Sequence, residues 1–150
     1  MQAVATLAAG LFAGAAIYIT VSEHPARMEC GVSLDASVFG PSYRRAAAMQ
    51  ASLALIGTFA GVLAWQLGGG IEWLAGSALL FFVMPFTLVA IMRTNKRLLD
   101  LALDRNSREA HDLLLEWGRL HAVLSVVGGA SFLIFVFVKH WASRQTSGWS

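Results

Sequence analysis

The feature that most restricts this chain is a set of four long stretches almost free of charge: residues 3–21, 46–67, 71–92 (interrupted only by Glu72) and 120–138. A helix rises 1.5 Å per residue, so about 20 apolar residues cross a hydrocarbon core of about 30 Å. Composition agrees: 57% of the 150 residues are hydrophobic and 13% charged, at a mean hydropathy of +0.62, which excludes an ordinary water-soluble domain. The expected fold is therefore all-α, one integral-membrane domain over residues 1–150, an antiparallel four-helix bundle. Its spans are expected at about 3–24, 43–67, 71–100 and 111–141. Met1-Gln2 supplies no basic segment ahead of the first run, so that run reads as a retained helix and not a cleaved leader.

The punctuation between runs sets the expected boundaries. His24-Pro25 stops the first helix, and residues 26–41, with Gly31, Gly40 and Pro41, read as a connection carrying a short amphipathic turn. Gly68-Gly69-Gly70 is a strong helix stop that permits an immediate reversal. Pro85 is predicted to kink the third helix without breaking it. Lys139-His140-Trp141 closes the fourth, ahead of a loose Ser/Thr-rich tail.

Threading the spans back and forth puts residues 22–45 and 93–119 on one side. Nine of the eleven basic residues fall there, leaving Lys139 and Arg144 opposite, and eight of the nine acids accompany them, all but Glu72. The positive-inside rule makes that side cytoplasmic, so the expected location is the inner membrane, multi-pass, with both termini on the non-cytoplasmic side. Charges of both signs partly neutralise one another, so the bilayer is the expected partner and nucleic acid is not. Gly10/Gly14 and Gly57/Gly61 are GxxxG pairs, suited to close helix contact within the bundle or across a homo-oligomer.

Polar residues at the charged ends of the helices are the candidates for chemistry. His24 ends the first helix, Tyr43, Arg44 and Gln50 open the second, Asn95 closes the third, and Trp117 and His121 lie on the fourth. Trp117 and His121 are spaced i, i+4 and share a face. A histidine a turn below the headgroups either bonds a neighbouring helix's carbonyl or exchanges protons near neutral pH. His24 either terminates its helix or joins His121 in holding a metal or haem iron. Asn95 either caps its helix or donates to a ligand oxygen. The single cysteine, Cys30, forms no internal disulfide. No phosphate-binding glycine loop, nucleophile elbow or pair of intramembrane carboxylates is present, which argues against nucleotide hydrolysis, ester hydrolysis and proton pumping.

Four ordered motifs carry a family resemblance: Glu23-His24-Pro25-Ala26-Arg27; Pro41-Ser42-Tyr43-Arg44-Arg45 with Met49-Gln50-Ala51; Pro85-Phe86-Thr87 leading to Thr94-Asn95-Lys96-Arg97-Leu98; and Trp117-Gly118-Arg119-Leu120-His121-Ala122-Val123. Together they resemble the anthrone oxygenase-like family of small four-helix membrane proteins, in bacteria largely a domain of unknown function. The resemblance implies oxidation of a lipophilic phenol, hydroquinone or anthrone by molecular oxygen, with no flavin required. His121, His24 and Asn95 would then act in catalysis, and Trp117, Tyr43, Arg44 and Gln50 would bind substrate. Arg93 and Leu124 depart from the family pattern, where a proline and an arginine are usual. A haem- or metal-binding redox protein and a non-enzymatic scaffold or ligand binder are the other readings of the same residues.

Overall fold

The computed structural model describes the backbone of residues 1–147 and the side chains of residues 1–138; the side chains of Lys139, His140, Trp141 and Arg144 lie outside the described residues. The described residues form four long helices: α1 (Gln2–Glu29), α2 (Val32–Gln66), α3 (Ile71–Leu98) and α4 (Arg108–Ser147). All four are long and apolar enough to cross a membrane. The shortest has 28 residues, about 42 Å at 1.5 Å each, enough to reach from one headgroup layer to the other. The chain is a multi-pass membrane protein.

Sequence neighbours are spatial neighbours: α2 packs on α1 and α3, and α4 closes the ring by packing on α3 and α1. Small side chains make this possible. Ala5, Ala9 and Ala16 of α1 and Ala54, Ala60 and Ala64 of α2 are buried, and lipid gives packed helices no hydrophobic drive, so they must approach closely. A Cβ on Gly61 would strike Ser77 Oγ, and one on Gly57 would strike the Leu80 side chain. Gly10 lies against Phe132 of α4, whereas Gly14 is exposed with nothing near it. The Gly57/Gly61 pair is thus occupied inside the bundle. Leu7, Leu11, Phe59 and Val126 point outward, the surface expected against acyl chains.

The helices run further than their prolines suggest. His24-Pro25 does not end α1, because the N–H of His24 bonds the carbonyl of Ile19 and opens a π turn over Ile19–Glu23. One extra residue is absorbed just where Pro25 has no N–H to give. A second π turn, Thr87–Ile91, follows Pro85 in α3, its N–H donor being Met92. Residues 32–41, read from sequence as a connection, are the first turns of α2, with Pro41 inside the helix. The carbonyl that Pro41 leaves free belongs to Ser37, and both residues are exposed at the helix's outer end, where water can take its place. The reversal between α1 and α2 needs only Gly31, at φ 107°, a conformation side chains resist.

At the opposite end Gly68 takes φ 94°. Gly68 N–H bonds the Trp65 carbonyl and Gly69 N–H the Ala64 carbonyl, a Schellman stop. α4 continues as helix to Ser147, past the close expected at Trp141. The α1–α2 turn and the α3–α4 connection share one end, where Arg105 Nη1 of the connection donates to Ser37 Oγ of α2 at 3.2 Å and Arg97 Nε of α3 donates to Glu109 of α4 at 2.7 Å.

Candidate functional site

Beneath that charged end lies a cavity of about 230 Å³. Phe12, Ile19, Phe39, Val83 and Leu124 give it apolar walls, and Tyr43, Gln50, Asn95, Trp117 and His121 also line it. Every helix contributes, so the cavity belongs to the assembled bundle.

Asn95 is brought there by the end of α3 and has no exposed surface. Its Oδ1 accepts from the indole Nε1–H of Trp117 at 2.9 Å. That bond fixes the amide's orientation, since an indole N–H can only donate and so must meet the oxygen. The Asn95 Nδ2 amino group is then left buried with no acceptor among the described residues, and Gln50 Nε2 on α2 is in the same condition. Two unsatisfied amide donors at one apolar cavity require an acceptor from a ligand or water.

The i, i+4 spacing of Trp117 and His121 produces a stack, with ring centroids 4.8 Å apart and planes 25° from parallel. His121 Nδ1 lies 3.0 Å from Thr20 Oγ1, which is 2.8 Å from Ser125 Oγ. Thr20 sits in the π turn of α1, and the extra residue there turns its hydroxyl toward α4. If His121 donates Nδ1–H to Thr20 and Thr20 donates to Ser125, Nε2 keeps its lone pair and no protein partner.

A residue not singled out from the sequence organises the floor of the charged end. Asp35 of α2 has no exposed surface; its Oδ2 is 3.2 Å from His24 Nδ1 and its Oδ1 is 3.0 Å from Arg27 Nε. Neither contact has hydrogen-bond geometry, so the Arg27–Asp35 pair is held by charge attraction and not by a directed hydrogen bond. Arg27 Nη1 also reaches Glu23 at 3.1 Å, and Ser42 Oγ donates to the same Glu23 oxygen at 3.3 Å. Sequence spacing hid Asp35 because it fell in residues taken for a connection; the helical pattern 35, 39, 43 shared with Phe39 and Tyr43 was the available signal.

His24 does not line the cavity. Its ring stands edge-on to Trp117 at 5.3 Å, and a Cβ on Gly118 would fall 2.7 Å from His24 Nε2. Gly118 is therefore the slot that admits the imidazole. Arg44 is exposed and also stands away from the cavity, while Arg27 lines it. Among the described residues no group of three or more His, Cys, Asp or Glu side chains is arranged to hold a metal ion; Nδ1 of His24 and Nδ1 of His121 each already face a protein oxygen.

No curated protein and no solved structure matches the chain. A family model does: residues 39–134, from the Phe39 wall of the cavity through Gln50, Asn95, Trp117 and His121, match the family described as anthrone oxygenase. With its four membrane helices and nearly two thirds of its length matched, the chain belongs to the anthrone oxygenase family.

Proposed function

We propose that the protein is a membrane oxidoreductase that uses molecular oxygen to oxidise a lipophilic phenol, hydroquinone or anthrone held in this cavity, with the charged end facing the cytoplasm. The observation that carries the reading is the pair of buried, unpartnered amide donors, Asn95 Nδ2 and Gln50 Nε2, beside the free Nε2 of His121. An apolar cavity of about 150 Å³ takes benzene, so about 230 Å³ suits a flat molecule of more than one ring.

For an anthrone, His121 Nε2 takes a proton from the methylene carbon next to the rings, and the enolate oxygen accepts from Asn95 and Gln50. Preorganised donors in a water-poor site favour that developing charge. The enolate passes one electron to oxygen; the carbon radical and superoxide combine into a C–O bond, and the peroxide takes the proton back from His121. Loss of the second C–H proton breaks the O–O bond and forms the new carbonyl. One oxygen atom ends in the quinone and one in water. Trp117 holds the ring and, through its N–H, the Asn95 amide. Arg44 and His24, away from the cavity, have no contact with the reacting atoms in this scheme.

Oxygen consumption by purified protein with anthrone tests the reading. Turnover is expected to fall about a hundredfold or more in His121→Ala and Asn95→Ala, the usual scale for losing a base or an oxyanion donor. Full activity in both variants, or none in the unaltered protein with anthrones and hydroquinones alike, overturns it.

A further inference from the structure

The cavity is not closed equally on all sides. The residues α4 contributes to it, Trp117, His121 and Leu124, are buried, and so are Phe12 and Ile19 of α1. Its charged end is cross-tied: Glu23 is held by Arg27 and Ser42, Arg27 faces Asp35, and Trp117 is bonded to Asn95. Phe39 and Tyr43, one turn apart on α2, stack at 5.6 Å along the same end.

The remaining flank, between α2 and α3, is different. There α2 presents the small side chains Ala47 and Ala51, and α3 presents Met84, Thr87 and Leu88, all incompletely buried. Leu88 is 64% exposed yet lines the cavity; the other lining residues among those described are buried or half-buried. The helices meet tightly at Gly57 and Gly61, where Leu80 and Ser77 fill the contact. Toward the charged end α3 enters its π turn, Thr87–Ile91, and Leu88 stands at the resulting gap. Leu88 is about 15 Å along the helix from Leu98, among outward-facing apolar residues such as Val89. The opening therefore faces hydrocarbon, not headgroups or water.

We propose that the cavity is filled from the bilayer: a membrane-dissolved hydroxyaromatic molecule enters sideways between α2 and α3, past Leu88, with its oxygen leading toward Gln50 and Asn95. The hydroxyaromatic identity rests on the oxidoreductase reading; the route rests on the opening alone. A route through hydrocarbon selects ligands that partition into lipid, and it excludes sulfonated or otherwise permanently charged analogues, whose transfer into an apolar mouth is costly. The Leu88 side chain acts as the gate, so its size sets exchange rates in both directions without touching the polar groups that hold the ligand.

The test is binding kinetics of 1-naphthol, followed by its fluorescence, to protein reconstituted in phosphatidylcholine vesicles. Leu88→Trp is expected to slow association and dissociation together by about tenfold, and Leu88→Ala to speed both, with the equilibrium affinity changed by less than about twofold. Val89→Trp, next along the helix but off the cavity, should leave both rates alone. A naphthol bearing a sulfonate should not bind. Unchanged rates in both Leu88 variants, equally good binding of the sulfonate, or no binding of 1-naphthol overturns the proposal. No step of this experiment uses oxygen. Gated naphthol exchange in a protein that consumes no oxygen supports the route while removing the oxidoreductase reading.

Discussion

A carboxylate without exposed surface, as Asp35 is, has to be balanced within a few ångströms, and the Arg27 guanidinium at 3.0 Å provides the balance, with the His24 ring at 3.2 Å on the other oxygen. Removing one member of such a group strands the other's charge, which costs about 3–5 kcal/mol. Asp35→Ala is accordingly expected to lower stability by that order in reversible unfolding from mixed micelles. Asp35→Leu combined with Arg27→Met, which removes both charges, should recover much of the loss. Trp117 presents a finer case. Trp117→Phe keeps an aromatic ring against His121 but deletes the N–H that orients Asn95. The expected cost in stability is about 1–3 kcal/mol for the orphaned acceptor, together with a fall in turnover larger than any change in KM, because the amide donor loses its fixed direction. Asn95, Trp117 and His121 were legible as candidates because they are polar or amphipathic side chains at the charged ends of the helices, where the threading brings α3 and α4 together, and all three line the cavity. Asp35 was not, because glycines and a proline around it read as loop, and only its helical setting turns its side chain inward. Likewise His24 was legible as special but not its role: nothing in the spacing says that Gly118 would receive its ring and keep it behind Trp117.

At the scale of elements, the same motif does opposite work in two helices. Gly61 of α2 has Ser77 and Phe135 where its Cβ would be, while Gly14 of α1 has nothing within 4 Å. Gly61→Ala is expected to destabilise the bundle by about 1–3 kcal/mol through overpacking, and Gly14→Ala to be neutral or to stabilise by up to about 1 kcal/mol from helix propensity. Thermal unfolding of the two variants in one detergent checks the ordering, and equal losses would refute the assignment of Gly61 to a tight contact. The number of helices was readable from hydropathy, which reports what each segment must bury in lipid. Their lengths were not, since the helix runs on through Pro25 and Pro85, with π turns beside them in which His24 N–H bonds the Ile19 carbonyl and Met92 N–H the Thr87 carbonyl.

For the whole molecule the arrangement that matters is the coincidence of charge and cavity at one end. Arg97 pairs with Asp100 and Glu109 there, and the ring of mixed charge sits above the Asn95–Trp117 bond without filling the cavity. If the excess of basic residues at this end holds it on the cytoplasmic side, as insertion energetics favour, then the lateral opening lies in the inner leaflet half of the bilayer. Cys30 makes that orientation measurable. It is the only cysteine in the sequence, it is a free and exposed thiol, and it stands in the α1–α2 turn next to Gly31. A membrane-impermeant maleimide should leave Cys30 unmodified in intact cells and label it fully in inside-out vesicles or after permeabilisation. Leu67→Cys in a Cys30→Ser background, at the exposed opposite end of α2, should show the reverse pattern. Labelling of Cys30 in intact cells places the charged end outside, and with it the cavity in the outer leaflet, because the two are built from the same helix ends and cannot be inverted separately.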